Sequence, residues 1–149
     1  MEQPTEQIMT MSGLLEVMLV DARGLPESDS FGKMDPYVLI QYKDQKLKST
    51  VAKGQGSNPV WNERFTLWVQ CPEADDQYNL ILKIMDKDTF SSDDFLGEIA
   101  ISVKDVVELG MEIGKVEKQP CKYKVINLGS NNMASAGEIQ VGFTFTRKE

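Results

Sequence analysis

The sequence predicts an all-β fold, an eight-stranded antiparallel β-sandwich, on three observations. Short apolar stretches of period two recur along the 149-residue chain, the connections between them are rich in Gly, Pro, Asn, Asp and Ser, and only one stretch reads as a helix. Alternation is clearest near the C-terminus, where Ile139, Val141, Phe143 and Phe145 interleave with Gln140, Gly142, Thr144 and Thr146. Neither internal repeats nor low-complexity tracts interrupt the pattern.

Residues 1–12 are polar apart from scattered Ile and Met and are expected to form a flexible tail ahead of a single domain over residues 13–147. The tail lacks the basic start and apolar centre of a secretory signal, so a cytoplasmic location is expected. Residues 14–20 make the first strand, with Leu15, Val17 and Leu19 on one face. Asp21 to Met34, carrying Gly24, Pro26 and Gly32, suits a long irregular loop. Pro36 opens the second strand, Tyr37 to Tyr42, where its missing donor does least harm. A polar turn at 43–46 leads to a third strand at 47–51, and the Gly- and Asn-Pro-containing segment 53–59 precedes a fourth at 64–69. Tyr78, Leu80, Leu82 and Ile84 share one face of a fifth, residues 95–103 form a sixth, and Lys104 to Leu109 is the one helix. Residues 125–128 lie in a seventh strand and 137–146 form the eighth. Trp61 and Trp68 are expected in or beside the core, and Asn58 and Asn62 to fix the second long loop by local hydrogen bonds.

If successive strands run up and down, the connections after the first, third, fifth and seventh emerge at one end. The long loops 21–34, 53–63 and 86–94 are then neighbours, and loop-borne function belongs there.

Composition narrows the function. Hydrophobic content of 41% and charged content of 26% are those of an ordinary globular chain, and no apolar run approaches the ~20 residues of a membrane-spanning helix. There is no histidine, and Cys71 and Cys121 have no metal-type spacing, so reduced thiols are expected and zinc sites and histidine-based catalysis are excluded. Without a nucleophile elbow or a phosphate-binding glycine loop, an enzyme is not expected. The formal charge of −7 argues against broad binding to nucleic acid or anionic lipid unless a basic patch or bound cations help locally.

The stretch from Asp86 to Gly97 holds four carboxylates, at Asp86, Asp88, Asp93 and Asp94. Carboxylates this dense repel one another, so the loop is either fully solvated or shares them around a cation. Asp29 and Asp35 in the first loop would lie beside Asp86, Asp88 and Asp94 in the third, a hard-oxygen set able to share one or two calcium ions. An EF-hand fails as a rival, because Phe90, Ser91 and Gly97 stand where its fifth ligand, glycine and closing glutamate belong, and strands flank the loop.

Three segments carry a resemblance: Met34-Asp35-Pro36-Tyr37-Val38 after Gly24-Leu25 and Asp29, Asn58-Pro59-Val60-Trp61-Asn62-Glu63-Arg64-Phe65, and Met85-Asp86-Lys87-Asp88 through Asp94-Phe95-Leu96-Gly97-Glu98. In this order they resemble the C2 domain, the calcium-dependent phospholipid-binding β-sandwich, over nearly the whole folded chain. The resemblance implies calcium ligation by Asp29, Asp35, Asp86, Asp88 and Asp94, with main-chain carbonyls of Ser28 and Lys87 and the hydroxyl of Ser91 as further donors. Asp93 falls where the family has no regular ligand and is expected to be a nearby solvated charge. Starting on the strand before the first calcium loop implies the type II topology. Chain size resembles the small single-domain plant C2 proteins of the elicitor-responsive and phloem-protein-like group.

The implied activity is calcium-dependent binding of a monomer to anionic phospholipid membranes, with recruitment to the plasma membrane and a role in plant defence signalling. Phe31 and Phe90 occupy the tips of the first and third loops as membrane-contact residues, against the alternative that either ring folds back onto the sandwich. Lys43, Lys46 and Lys48 read first as edge protection and solubility, with the headgroup binding seen in many C2 domains as the lesser alternative. The rival class is a calcium-regulated protein or RNA adaptor, and the acidity of the chain gives RNA little support.

Overall fold

The computed structural model describes residues 10–27, 33–127 and 135–149. Its strands are β1 (Met11–Arg23), β2 (Pro36–Tyr42), β3 (Gln45–Lys48), β4 (Val60–Cys71), β5 (Asn79–Asp86), β6 (Asp94–Ser102), β7 (Lys115–Ile126) and β8 (Ser135–Lys148), with helix α1 (Lys104–Ile113) between β6 and β7. The apolar alternation is clearest in β1, β5 and β8. Leu15, Val17 and Leu19 of β1, Leu80, Leu82 and Ile84 of β5, and Ile139, Val141 and Phe145 of β8 are fully buried, while their neighbours in sequence face outward.

The strands run in the order β3-β2-β5-β6-β7-β8-β1-β4, and every pairing is antiparallel. Between β6 and β7 the ladder narrows to Glu98↔Ile126, so the order divides there into two four-stranded layers whose inward side chains form one core. β8 lies between β7 and β1, the type II arrangement.

Several elements differ from the sequence expectation. β1 begins at Met11, which pairs with Cys71, so Met11 and Ser12 belong to the sheet and not to a tail; residues 1–9 lie outside the described residues. Strand β3 ends at Lys48 because Ser49 turns inward, its hydroxyl accepting the Val38 N–H at 2.8 Å. Helix α1 continues past Leu109 through Gly110, whose missing side chain lets the helix lie against Phe145. β7 is far longer than its apolar signal, with Pro120 in the register shift between Lys118 and Cys121, where a missing ladder donor is tolerated.

Trp61 is 8% exposed and its indole N–H donates to the Pro36 carbonyl at 3.2 Å. Trp68 is a correction: it is 56% exposed, because Leu67 and Val69 take the inward positions of β4 and the period of two turns residue 68 outward.

Candidate metal centre

The three long connections do gather at one end, stitched together by backbone hydrogen bonds. Ala22 N–H donates to the Pro59 carbonyl at 3.0 Å, Leu25 N–H to the Ser57 carbonyl at 3.1 Å, and Gly56 N–H to the Met34 carbonyl at 3.0 Å. Asn58 Oδ1 accepts the Gly24 N–H at 3.1 Å, so Asn58 ties the second connection to the first, 34 residues away, where a bond local to its own loop was expected. From β8, Gly137 packs onto the same region. At φ +90° an added Cβ would stand 2.4 Å from the Arg23 carbonyl oxygen, so only glycine fits.

Asp35 joins all three loops. Its carbonyl accepts the Lys87 N–H at 3.0 Å, its Oδ1 accepts the Gly54 N–H at 2.6 Å, and its own N–H donates to Asp86 Oδ1 at 2.9 Å. Asp86 ends β5, is 4% exposed, and pairs across the ladder with Asp94, which opens β6 with an exposed side chain. The Asp88 carboxylate turns onto its own loop. Oδ1 accepts the N–H groups of Phe90 at 2.9 Å and Ser91 at 3.2 Å, while Ser91 Oγ donates to Oδ2 at 2.8 Å. These donors, the Phe90 N–H first and the Ser91 hydroxyl next, hold the Asp88 carboxyl below its ordinary pKa. Beyond this folded-back turn, Phe90 is 98% exposed.

Asp93 is not the solvated charge that the sequence suggests. Its side chain is 19% exposed, Oδ1 accepts the Asp88 N–H at 3.0 Å, and Oδ2 accepts the hydroxyl of Tyr37. Its pKa is lowered first by the Asp88 N–H and then by the Tyr37 hydroxyl, with Lys87 and Lys48 adding favourable charge. Tyr37 occupies an outward position of β2 by parity yet is 4% exposed; the Lys48 ammonium stands 4.5 Å from its ring centroid. Burial first, then Asp93, pushes the Tyr37 pKa up to about 12. An Asp-Asp doublet does not reveal which carboxyl turns inward, and Tyr37 reads from sequence as an ordinary strand residue.

Ser28, Asp29 and Phe31 lie outside the described residues. Of the three hairpin lysines, Lys43 pairs with Glu73 at the opposite end, and Lys48 covers Tyr37. Lys46 lines a shallow groove of about 320 Å³ with Leu39, Gln41, Ile81, Lys83 and Glu98.

Among the described residues, no group of three or more Asp, Glu, His or Cys side chains converges closely enough to hold an ion. The donor chemistry nevertheless suits a hard cation. Asp35, Asp86, Asp88, Asp94 and the Lys87 carbonyl offer only oxygen, and an almost fully buried carboxylate, Asp86, stands at the junction of two loops. Among the described residues, no helix is long and apolar enough to cross a membrane.

Comparison with known proteins agrees with this architecture. Residues 13–119 match the family model of the C2 domain. The chain is 48% identical to elicitor-responsive protein 1 of Oryza sativa subsp. japonica, over 93% of this chain and 87% of that protein. It is 44% identical to 16 kDa phloem protein 1 of Arabidopsis thaliana, over 90% of this chain and 85% of that one. A solved C2 domain-containing protein from an elicitor-responsive gene superposes with a TM-score of 0.69 at 36% identity, covering 93% of this chain and 91% of the other.

Proposed function

Since the chain belongs to the C2 domain family, we propose that it is a calcium-responsive peripheral membrane module that binds anionic phospholipid when calcium rises. The observation that carries this reading is the gathering of Asp35, Asp86, Asp88 and Asp94 at one end of the sandwich, beside the fully exposed ring of Phe90. Asp29, with the carbonyls of Ser28 and Lys87 and the hydroxyl of Ser91, completes the proposed oxygen set. Bound calcium supplies the positive charge that cancels these carboxylates and coordination positions open to lipid phosphate oxygens.

The residues of the chain do the rest. Asp35 and Asp86 hold the first and third loops in register, so donors from both come to the same end of the sandwich. The Asp88 turn presents Phe90 outward, where an apolar ring enters the headgroup region once the neighbouring charge is cancelled. Without that cancellation, a chain of formal charge −7 is repelled by an anionic surface. The proposal includes a non-enzymatic, monomeric protein that is cytoplasmic at rest, moves to the plasma membrane on a calcium signal, and serves defence signalling as the name of its rice relative suggests.

Co-sedimentation with phosphatidylserine-containing vesicles tests the reading, with calcium or chelator, for wild type and the Asp86→Asn/Asp88→Asn double variant. Pelleting that needs calcium and is lost in the double variant is expected. Vesicle binding indifferent to both overturns it. Calcium binding without any vesicle association favours the adaptor class.

A further inference from the structure

We infer that Asp93 is a positioning residue for the third loop: it ties the Asp88 backbone to Tyr37 of β2 and sets the loop for calcium without ligating the ion. The inference rests on the calcium reading above and concerns how that site is held in shape.

Both oxygens of the Asp93 carboxylate are engaged by the protein. Oδ1 takes the Asp88 N–H at 3.0 Å with Lys87 Nζ at 3.9 Å, and Oδ2 takes the Tyr37 hydroxyl. The bond to Asp88 bridges five residues of the exposed turn at its neck. Above that neck the Asp88 carboxylate closes a second, smaller turn on Phe90 and Ser91, so the placement of both oxygens of Asp88 depends on where Asp93 holds its backbone. Tyr37 makes a firm anchor: it is 4% exposed, lies in the β2–β5 ladder opposite Met85, and has Lys48 over its ring. A turn rich in carboxylates that repel one another tends to spread, and a fixed acceptor at its neck opposes this.

The alternative is that Asp93 leaves Tyr37 and becomes a ligand itself. The two roles give opposite results for Tyr37→Phe, a change that removes one hydroxyl and no charge. Freeing a ligand tightens calcium binding, whereas loosening a support weakens it.

The experiment is calorimetric titration with calcium chloride of wild type, Tyr37→Phe, Asp93→Ala and the double variant, with amide hydrogen exchange at Asp88 measured in chelator. A positioning role predicts that Tyr37→Phe lowers calcium affinity about three- to tenfold, a fraction of the worth of one hydrogen bond to a charged group, because the hydroxyl acts on the site only through Asp93. The number of ions per chain stays the same, the double variant binds no more weakly than Asp93→Ala alone, and Asp88 N–H exchange accelerates in both single variants without calcium. Unchanged or tighter calcium binding by Tyr37→Phe, or fewer ions bound by Asp93→Ala, overturns the inference. If wild type itself takes up no calcium, the functional reading fails first and this inference with it, a result visible in the wild-type titration alone.

Discussion

Asp35 and Asp86 are joined across the open end of the β2–β5 ladder, the Asp35 N–H donating to Asp86 Oδ1 at 2.9 Å. A buried carboxylate thus serves as a backbone acceptor while facing a loop cluster of its own charge, and shape and charge separate on substitution. Asp86→Asn keeps an acceptor oxygen and the volume but removes the charge, so in chelator it melts at or above the wild-type temperature. Asp86→Ala leaves the Asp35 N–H without this acceptor and costs about 1–2 kcal/mol. Calcium at about 100 times its dissociation constant adds ~2.7 kcal/mol to wild type by linkage and much less to either variant. Thermal melts in calcium and in chelator read both effects, and equal calcium stabilisation of wild type and Asp86→Asn contradicts this account.

Phe90 is 98% exposed, so its removal has almost nothing to unpack. Phe90→Ala is expected to leave the melting temperature and calcium affinity in solution unchanged. Burying a phenylalanine in an apolar medium contributes about 1.5–3 kcal/mol, so calcium-dependent vesicle affinity should fall roughly tenfold or more. Co-sedimentation across a series of vesicle concentrations at fixed calcium measures this. Undiminished vesicle affinity means that the ring stays in water.

The legible parts of this chain are those where one face is buried and the other is not. In β8 Ile, Val and Phe alternate with Gln, Gly and Thr, and in β1 and β5 apolar residues recur at every second position on the inward face, which is enough to identify both the strand and its buried side. Strand parity alone brought the loops of Asp35 and Asp86 together, and the hydrogen bonds among 22–25, 34–36, 52–59 and 87 follow that neighbourhood. Strand β7 was hidden because Lys115, Glu117, Lys118, Gln119, Lys122 and Lys124 leave it polar and exposed over much of its length, held by pairing with β8 rather than by an apolar face. Asp93 was hidden for a different reason: its inward turn depends on a tyrosine more than fifty positions away, and local patterns carry no information on such a partner.

Gly110 in the middle of α1 runs against helix propensity, which favours alanine there by ~1 kcal/mol. Packing reverses the sign. A Cβ at Gly110 would stand 2.2 Å from Cδ1 of Phe145, a ring that is fully buried and cannot swing away. Gly110→Ala should therefore destabilise the domain by about 1–3 kcal/mol net of the propensity gain. Urea unfolding of the two proteins checks it, and a more stable alanine variant means that α1 shifts freely over β8.

Tyr42 places the last test in the core beneath the opposite end of the sandwich. It is 1% exposed and, among the described residues, its hydroxyl has no hydrogen-bond partner. Burial first, and the charges of Glu73 and Cys71 after it, push its pKa from 10.0 up to about 12. A folded pKa above the unfolded one means that the native state holds the proton more tightly. The stability tied to that proton is complete below about pH 10 and is lost as pH rises through about 12. Two units correspond to ~2.7 kcal/mol at most from this one group. Tyr42→Phe removes both the unpaired hydroxyl and the titration. At neutral pH it should match or exceed wild type, by up to about 1 kcal/mol. Above about pH 10 its stability should fall less steeply than that of wild type. Tyr37, Tyr78 and Tyr123 are also shifted upward and still titrate in the variant, so the alkaline loss is reduced rather than abolished. Urea unfolding at a series of alkaline pH values measures the difference, and identical slopes for the two proteins mean that Tyr42 reaches solvent when it ionises.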